Sequence, residues 1–209
     1  MHMDKATKLE RYREANKHAL KGQIVFAGSS LMEMFPVEKL LREKGVDTTV
    51  YNRGIGGYVT RELLENLDVC VTDLMPRRVF INIGTNDLSN AAISLEELMG
   101  RYDEIITAIE QRVPGVEIYM MAYYPINYDA AEDFMKPCLL VRTNEKINKA
   151  NQLVKQLAER HGQRYIDVNR ALKDEQGRLK AEYTIEGMHI REEGYRAIMD
   201  DLVPYVIEA

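Results

Sequence analysis

The sequence predicts an α/β fold, a three-layer α/β/α sandwich around a five-stranded parallel sheet. Two observations predict it. Five short runs rich in β-branched residues alternate with segments of helical period, the pattern of parallel strands joined by crossover helices. The runs are also apolar almost throughout, as in "IVFA" at Ile24 to Ala27, which is what strands covered on both faces require.

The elements follow in order. Lys5 to Lys21 reads as a surface helix with Leu9, Tyr12 and Leu20 on its apolar side and Gly22 after its end. Ile24 to Ala27 is the first strand. Glu38 to Lys44 is helical and stops at Gly45. Thr48 to Tyr51 is the second strand. Val59 to Leu74 holds helical turns, with Leu63, Leu64 and Leu67 recurring at helical spacing, until Pro76 interrupts. Arg78 to Gly84, "RVFINIG", is the third strand. Ser94 with Glu97 makes a capping box before a helix over Leu95 to Arg112. Val116 to Ala122, "VEIYMMA", is the fourth strand. An irregular aromatic stretch runs from Tyr123 to Cys138. A long helix, Arg142 to His161, turns Ile147, Leu153, Val154 and Leu157 inward and ends at Gly162. Arg164 to Val168 is the fifth strand. Glu192 to Glu208 is a last helix, interrupted near Pro204.

Composition bounds the function. The 209 residues suit one domain over 1–209, with 1–21 as an N-terminal helix packed on it, and no Gly/Ser/Pro-rich linker divides them. Hydrophobic residues are 45% and charged residues 29%, which excludes a disordered chain. The net charge of −5 lacks the basic excess of a nucleic-acid binder. The apolar runs are too short to span a bilayer, and the charged N-terminus carries no signal core, so a cytoplasmic location without membrane insertion is expected. Cys70 and Cys138 form no metal-type pair and are expected reduced and partly buried.

In a parallel sheet of this kind ligands bind beyond the carboxyl ends of the strands, so the residues just after each strand carry the information. After the first strand comes Gly28-Ser29-Ser30. One serine there caps a helix, and the other is a candidate nucleophile whose N–H would face a developing oxyanion. The residues alone do not choose between the two. After the second strand comes "NRGIGG", Asn52 to Gly57. Its spacing fails the dinucleotide pattern at Val59, but its glycines let a backbone N–H approach a ligand closely. After the third comes "GTND", Gly84 to Asp87, where an asparagine amide at a strand end is a well-shaped oxyanion donor. Among the four histidines, His2 is near the terminus, and His18 and His161 sit in helix ends among charges. His189 lies in a glycine-containing loop three positions after Glu186. A carboxylate there fixes the imidazole tautomer and frees Nε2 to take a serine proton.

Together and in this order, "FAGSS", "NRGIGG", "GTND" and "EGMHIREEGY" resemble the blocks of the SGNH hydrolases, also called GDSL-type esterases and lipases. The likeness is to their platelet-activating-factor acetylhydrolase-like and lysophospholipase-like bacterial members, and it runs from Gly28 to Tyr195. It implies the flavodoxin-like fold of that family, with Ser30 as nucleophile, His189 as base and Glu186 as the triad acid. It implies an oxyanion hole from Ser30, Gly57 and Asn86, and needs no metal or cofactor. The sequence departs from the family in two places: Ser29 replaces the Asp of Gly-Asp-Ser, and Glu186 replaces the triad Asp. The second departure leaves a Ser-His dyad open as an alternative. The expected substrate is a small-molecule carboxylic ester. Tyr123, Tyr124 and Tyr128, with Phe134 and Met135, are candidates to line its pocket, the alternative being an aromatic loop that packs on its own domain. The chain is expected to act as a monomer or homodimer. The rival readings are an acyltransferase with the same nucleophile, a decayed binding domain on the same scaffold, and a flavodoxin-like flavin or signalling domain.

Overall fold

The computed structural model describes residues 3–208. His2 and the outermost ends of the expected 1–209 domain lie outside the described residues. A five-stranded sheet runs β2-β1-β3-β4-β5, where β1 is Ile24–Gly28, β2 Val50–Asn52, β3 Arg78–Asn82, β4 Glu117–Met121 and β5 Arg164–Ile166. Every neighbouring pair is parallel. The expected α/β/α sandwich is therefore the fold. In this strand order the chain leaves β1 toward one edge and returns to β3 on the other side, so the topological switch point lies between β1 and β3.

Alternation along each strand divides the core. Val25, Ala27, Val79, Ile81, Ile118 and Met120 face one layer. That layer includes α4 (Thr60–Glu65), α5 (Leu67–Cys70), α7 (Leu95–Arg112) and α9 (Asn144–Arg160). Ile24, Phe26, Phe80, Tyr119 and Met121 face the other, which holds α3 (Val37–Glu43), α10 (Glu192–Ala197) and α11 (Met199–Ile207). Across β1, β3 and β4 the register sets Phe26, Phe80 and Tyr119 side by side. Their rings stack at 4.6 and 4.7 Å between centroids. Such contacts add about 0.5–1.5 kcal/mol per pair beyond area burial.

Several boundaries depart from the sequence reading. Helix α1 spans Lys5–Asn16 and stops short of Lys21. Its last residue turns inward, where Asn16 Nδ2 donates to the Val69 carbonyl at 2.8 Å, and Leu20, expected on the apolar face, is exposed. The stretch from Val59 to Leu74 breaks into α4, α5 and a 3-10 turn at Thr72–Leu74. Ser94 caps α7 by accepting from the Glu97 N–H at 3.0 Å. The Glu97 carboxylate pairs with Arg101 instead of completing the box. The last helical segment breaks at Ile198, not at Pro204, which lies inside α11. The carbonyl that Pro204 leaves without an intrahelical donor is that of Asp200, an exposed residue where water can replace the lost bond. Cys70 is fully buried, and burial pushes its thiol up to about 12, so it is inert at neutral pH.

His161, expected to be solvated, is instead held between two carboxylates of α7. Its Nε2 lies 2.5 Å from Asp103 and its Nδ1 2.9 Å from Glu110. Burial disfavours the imidazolium, but the two hydrogen-bonded carboxylates outweigh it and raise its pKa above the ordinary 6.5. A raised folded-state pKa contributes stability below the unfolded value, lost as pH rises through the folded one. His161→Gln should therefore lower the melting temperature by about 2–4 °C at pH 6, the shift for ~1 kcal/mol in a chain of this length. The gap should close in melts repeated toward pH 9.

Candidate active site

The residues that follow β1 and β3 meet at the switch point. β1 ends on Gly28 because the chain passes hard against its neighbours there. A Cβ on Gly28 would fall 2.1 Å from the Asn82 carbonyl oxygen and 2.6 Å from Met32 Cγ. The next two serines then part. Ser29 stands at the N-cap position of α2 (Ser30–Glu33), yet its side chain makes no capping bond. It is fully buried and its Oγ lies 3.2 Å from Thr85 Oγ1. Ser30 opens the helix half-buried, and its Oγ lies 2.9 Å from His189 Nε2. His189 Nδ1 lies 2.7 Å from Glu186 Oε1, which also accepts the His189 backbone N–H at 3.1 Å. Ser30, His189 and Glu186 thus form one continuous hydrogen-bonded chain, 159 positions apart in sequence at its widest link.

The third and fourth sequence candidates lie on the same cavity. It measures about 920 Å³ and is lined by Ser30, Gly57, Asn86, Glu186 and His189. Gly57 adopts φ +79°, a left-handed conformation that disfavours any side chain. Asn86 lies in α6 (Thr85–Leu88), and its Nδ2 donates to the Tyr58 carbonyl at 2.9 Å. That bond fixes the amide and uses one of its two N–H groups. Asp87 beside it is fully buried and takes the Thr60 N–H and hydroxyl at 3.0 and 2.7 Å. The "GTND" turn is thereby sewn to the start of α4, just beyond the glycine loop.

The electrostatics keep the acid ionised. Burial opposes the Glu186 carboxylate, but the His189 hydrogen bonds, with Arg142 nearby, lower its pKa below the ordinary glutamate value. Arg142 is almost wholly buried behind the site. Burial pushes it down to about 10, against the opposing pull of Cys138 and Glu186, so it stays cationic at neutral pH. Its Nη1 donates to the Thr85 carbonyl at 2.9 Å, bracing the turn that carries Asn86.

The expected tyrosine pocket is not part of this cavity. Tyr123 is buried, with its hydroxyl donating to the Ile83 carbonyl at 2.8 Å. Tyr124 is buried in the other layer, edge-on to Tyr195. Both rings leave the strand end downward into the core, because the sheet there is covered on both faces. Tyr128 stands apart over a separate cleft with Leu139 and Arg178. Phe134 is exposed, and Met135 packs on the core cluster. The cavity's apolar wall comes instead from Met3, Met34, Ile185 and Met188, with Lys5 and Lys8 beside them. No local sequence signal marks the lysines, which arrive by the packing of α1.

A parallel sheet of this order, with a serine, an imidazole and a carboxylate in line at its switch point, has the architecture of a serine hydrolase. The GDSL-like Lipase/Acylhydrolase family model matches residues 34–197. The chain belongs to that family and is a carboxylic ester hydrolase of its class, as the resemblance implied. The matched span includes Asn86 and His189 and begins just after Ser30. The chain is 25% identical to platelet-activating factor acetylhydrolase IB subunit alpha2 of Rattus norvegicus over 187 residues, covering 88% of this chain and 76% of that protein. A structure described as a platelet activating factor from Streptococcus pneumonia superposes with a TM-score of 0.86 at 32% identity, covering 97% and 92% of the two chains. An acetylxylan esterase from Geobacillus stearothermophilus shares the fold, with a TM-score of 0.68 at 17% identity over 90% and 96%. Among the described residues no helix is long and apolar enough to cross a membrane.

Proposed function

We propose that this chain, as one SGNH hydrolase domain, cleaves short-chain carboxylic esters through an acyl-enzyme on Ser30. The observation that carries the reading is the unbroken chain from Ser30 Oγ through His189 to Glu186, at 2.9 and 2.7 Å. The Ser30 hydroxyl gives its proton to His189 Nε2 as Oγ attacks the ester carbonyl. The imidazolium that forms is held by the Glu186 carboxylate, which also sets the tautomer of the neutral ring. Negative charge gathers on the former carbonyl oxygen, where the N–H groups of Ser30 and Gly57 and the free N–H of Asn86 converge. His189 then protonates the leaving alcohol, and a water, deprotonated by His189, releases the acid. Acetyl and other short acyl groups are favoured, in keeping with the acetylhydrolase and acetylxylan esterase named among the relatives. The intact Ser30–His189–Glu186 geometry speaks against a decayed binding domain.

Hydrolysis of p-nitrophenyl acetate, butyrate and octanoate tests the reading. The wild type should turn over acetate and butyrate faster than octanoate. Asn86→Ala should lower kcat by about 10²–10³ while KM changes little, because the amide acts on charge present only in the transition state. A wild type inert toward all three esters would count against it, as would an Asn86→Ala variant with unchanged kcat.

A further inference from the structure

We propose that α1 is a positioning element of the glycine loop, and that Lys8 neutralises a carboxylate that would otherwise oppose the oxyanion. The proposal rests on the hydrolase reading of Ser30. Lys5, Lys8 and Tyr12 recur at helical spacing and share one face of α1. Lys5 and Tyr12 bond loop carbonyls between Arg53 and Gly57 directly, and Lys8 reaches the loop through Glu33. Lys5 Nζ donates to the Gly57 carbonyl at 2.9 Å and to both Glu62 oxygens at 2.7 and 2.8 Å. Lys8 Nζ binds both oxygens of Glu33, at 2.6 and 2.9 Å, and Glu33 Oε2 accepts the Gly56 N–H at 2.6 Å. The Tyr12 hydroxyl donates to the Gly54 carbonyl at 2.8 Å. At the end of α1, Asn16 Oδ1 accepts from Arg53 Nη2 at 2.9 Å. The loop is also held from the sheet side, where the Arg53 N–H donates to the Phe26 carbonyl at 2.8 Å, the Ile55 N–H to the Gly28 carbonyl at 3.0 Å and the Gly54 N–H to Asn52 Oδ1 at 3.0 Å.

The charges give this contact a catalytic consequence. A Cβ placed on Gly56 would lie 2.7 Å from Glu33 Oε2, 3.5 Å from Lys8 Nζ and 3.8 Å from Ser30 Cβ. The Glu33 carboxylate therefore stands against the loop that offers the Gly57 N–H, on the same cavity that Ser30 lines. Its acceptor bond fixes Gly56, but its charge repels the negative oxygen that forms on the substrate. Lys8, only 11% exposed in its side chain, pairs with it bidentately and cancels that charge where solvent screens little. Lys5 pairs with Glu62, a more exposed partner, while pinning Gly57 from the carbonyl side. Lys8 and Lys5 are positioning residues on this account, since neither touches the reacting atoms.

The test is steady-state hydrolysis of p-nitrophenyl acetate by wild type, Lys8→Met, Lys8→Arg and Lys8→Met/Glu33→Gln, with amide exchange of Gly56 and Gly57 followed in each. Methionine keeps the apolar stem of lysine and removes the charge. Lys8→Met should lower kcat about tenfold with KM within about twofold, part of the 10²–10³ that a fully lost oxyanion donor costs. Its Gly56 amide should exchange faster. Arginine should restore most of the rate. So should Glu33→Gln in the Lys8→Met background, because it deletes the uncancelled charge while keeping an acceptor for Gly56. A kcat for Lys8→Met within twofold of wild type, or a fall that Glu33→Gln does not relieve, would overturn the charge role. Unchanged Gly56 and Gly57 exchange in Lys8→Met would overturn the clamp. The exchange arm needs no turnover, so a wild type without esterase activity defeats the hydrolase reading separately.

Discussion

Ser30→Ala should abolish ester hydrolysis, with kcat falling by about 10⁴–10⁶, the range lost when the nucleophile of a serine triad is removed. The fold should survive. Ser30 is half-buried and gives up one hydroxyl and one bond to His189, so no cavity opens and the melting temperature should move by no more than a few degrees. Ser29→Ala is the informative control. Its hydroxyl is buried against Thr85, away from the imidazole. Losing that bond should cost about 1 kcal/mol of stability and leave turnover within an order of magnitude. The pair of variants separates a nucleophile from its structural neighbour by turnover, which collapses in one and stays within tenfold in the other while both keep the fold.

Glu186→Gln should lower kcat by about 10⁴, the cost of presenting an amide to the imidazole of a serine triad. The amide cannot stabilise the imidazolium, and its N–H favours the tautomer whose Nε2 already carries a proton. Glu186→Asp keeps the charge and shortens the reach by one methylene, so it should fall between the two. The carboxylate also links the site to stability. Its folded pKa is lowered, so its contribution is present above the unfolded value and lost as pH falls through the folded one. Melts of wild type and Glu186→Gln should differ at neutral pH and converge in acid. Equal kcat in the two proteins would move the site from a triad to a dyad, with His189 oriented by its backbone surroundings.

The strand-end blocks carried the site into view because a parallel sheet confines chemistry to a few positions. Ser30, Gly57, Asn86 and His189 each follow a strand or precede the helix facing it, and all four line one cavity. The residues alone did not separate Ser29 from Ser30. The difference lies in which way each side chain leaves the turn, toward Thr85 or toward His189, and that depends on partners 56 and 159 positions away. The tyrosine pocket misled for the opposite reason. Tyr123 and Tyr124 follow a strand as the catalytic candidates do, but aromatic rings at such a place are as well spent filling the layers beneath the loops. Lys5, Lys8 and Arg142 were not visible either. A lysine in a charged helix has the same local pattern whether it faces water or a glycine loop, and only the packing of α1 distinguishes them.

The same physics accounts for the boundaries. Ser94 stops the backbone donors of α7 as expected, because an N-cap is a local contact. The ends set by tertiary contacts moved. Asn16 ends α1 by reaching Val69, and the last helical segment divides at Ile198 although Pro204 is the residue that lacks a donor.

The most direct measurement of the central claim is covalent labelling with diisopropyl fluorophosphate followed by peptide mass spectrometry. Fluoride leaves as the serine oxygen bonds to phosphorus, so the reagent reports an activated hydroxyl without any choice of substrate. The expected result is one phosphoryl group per chain, on Ser30, formed at a rate that drops sharply in His189→Ala and absent from Ser30→Ala. A label on Ser29 or on any other residue, or a wild type that stays unmodified, would contradict it.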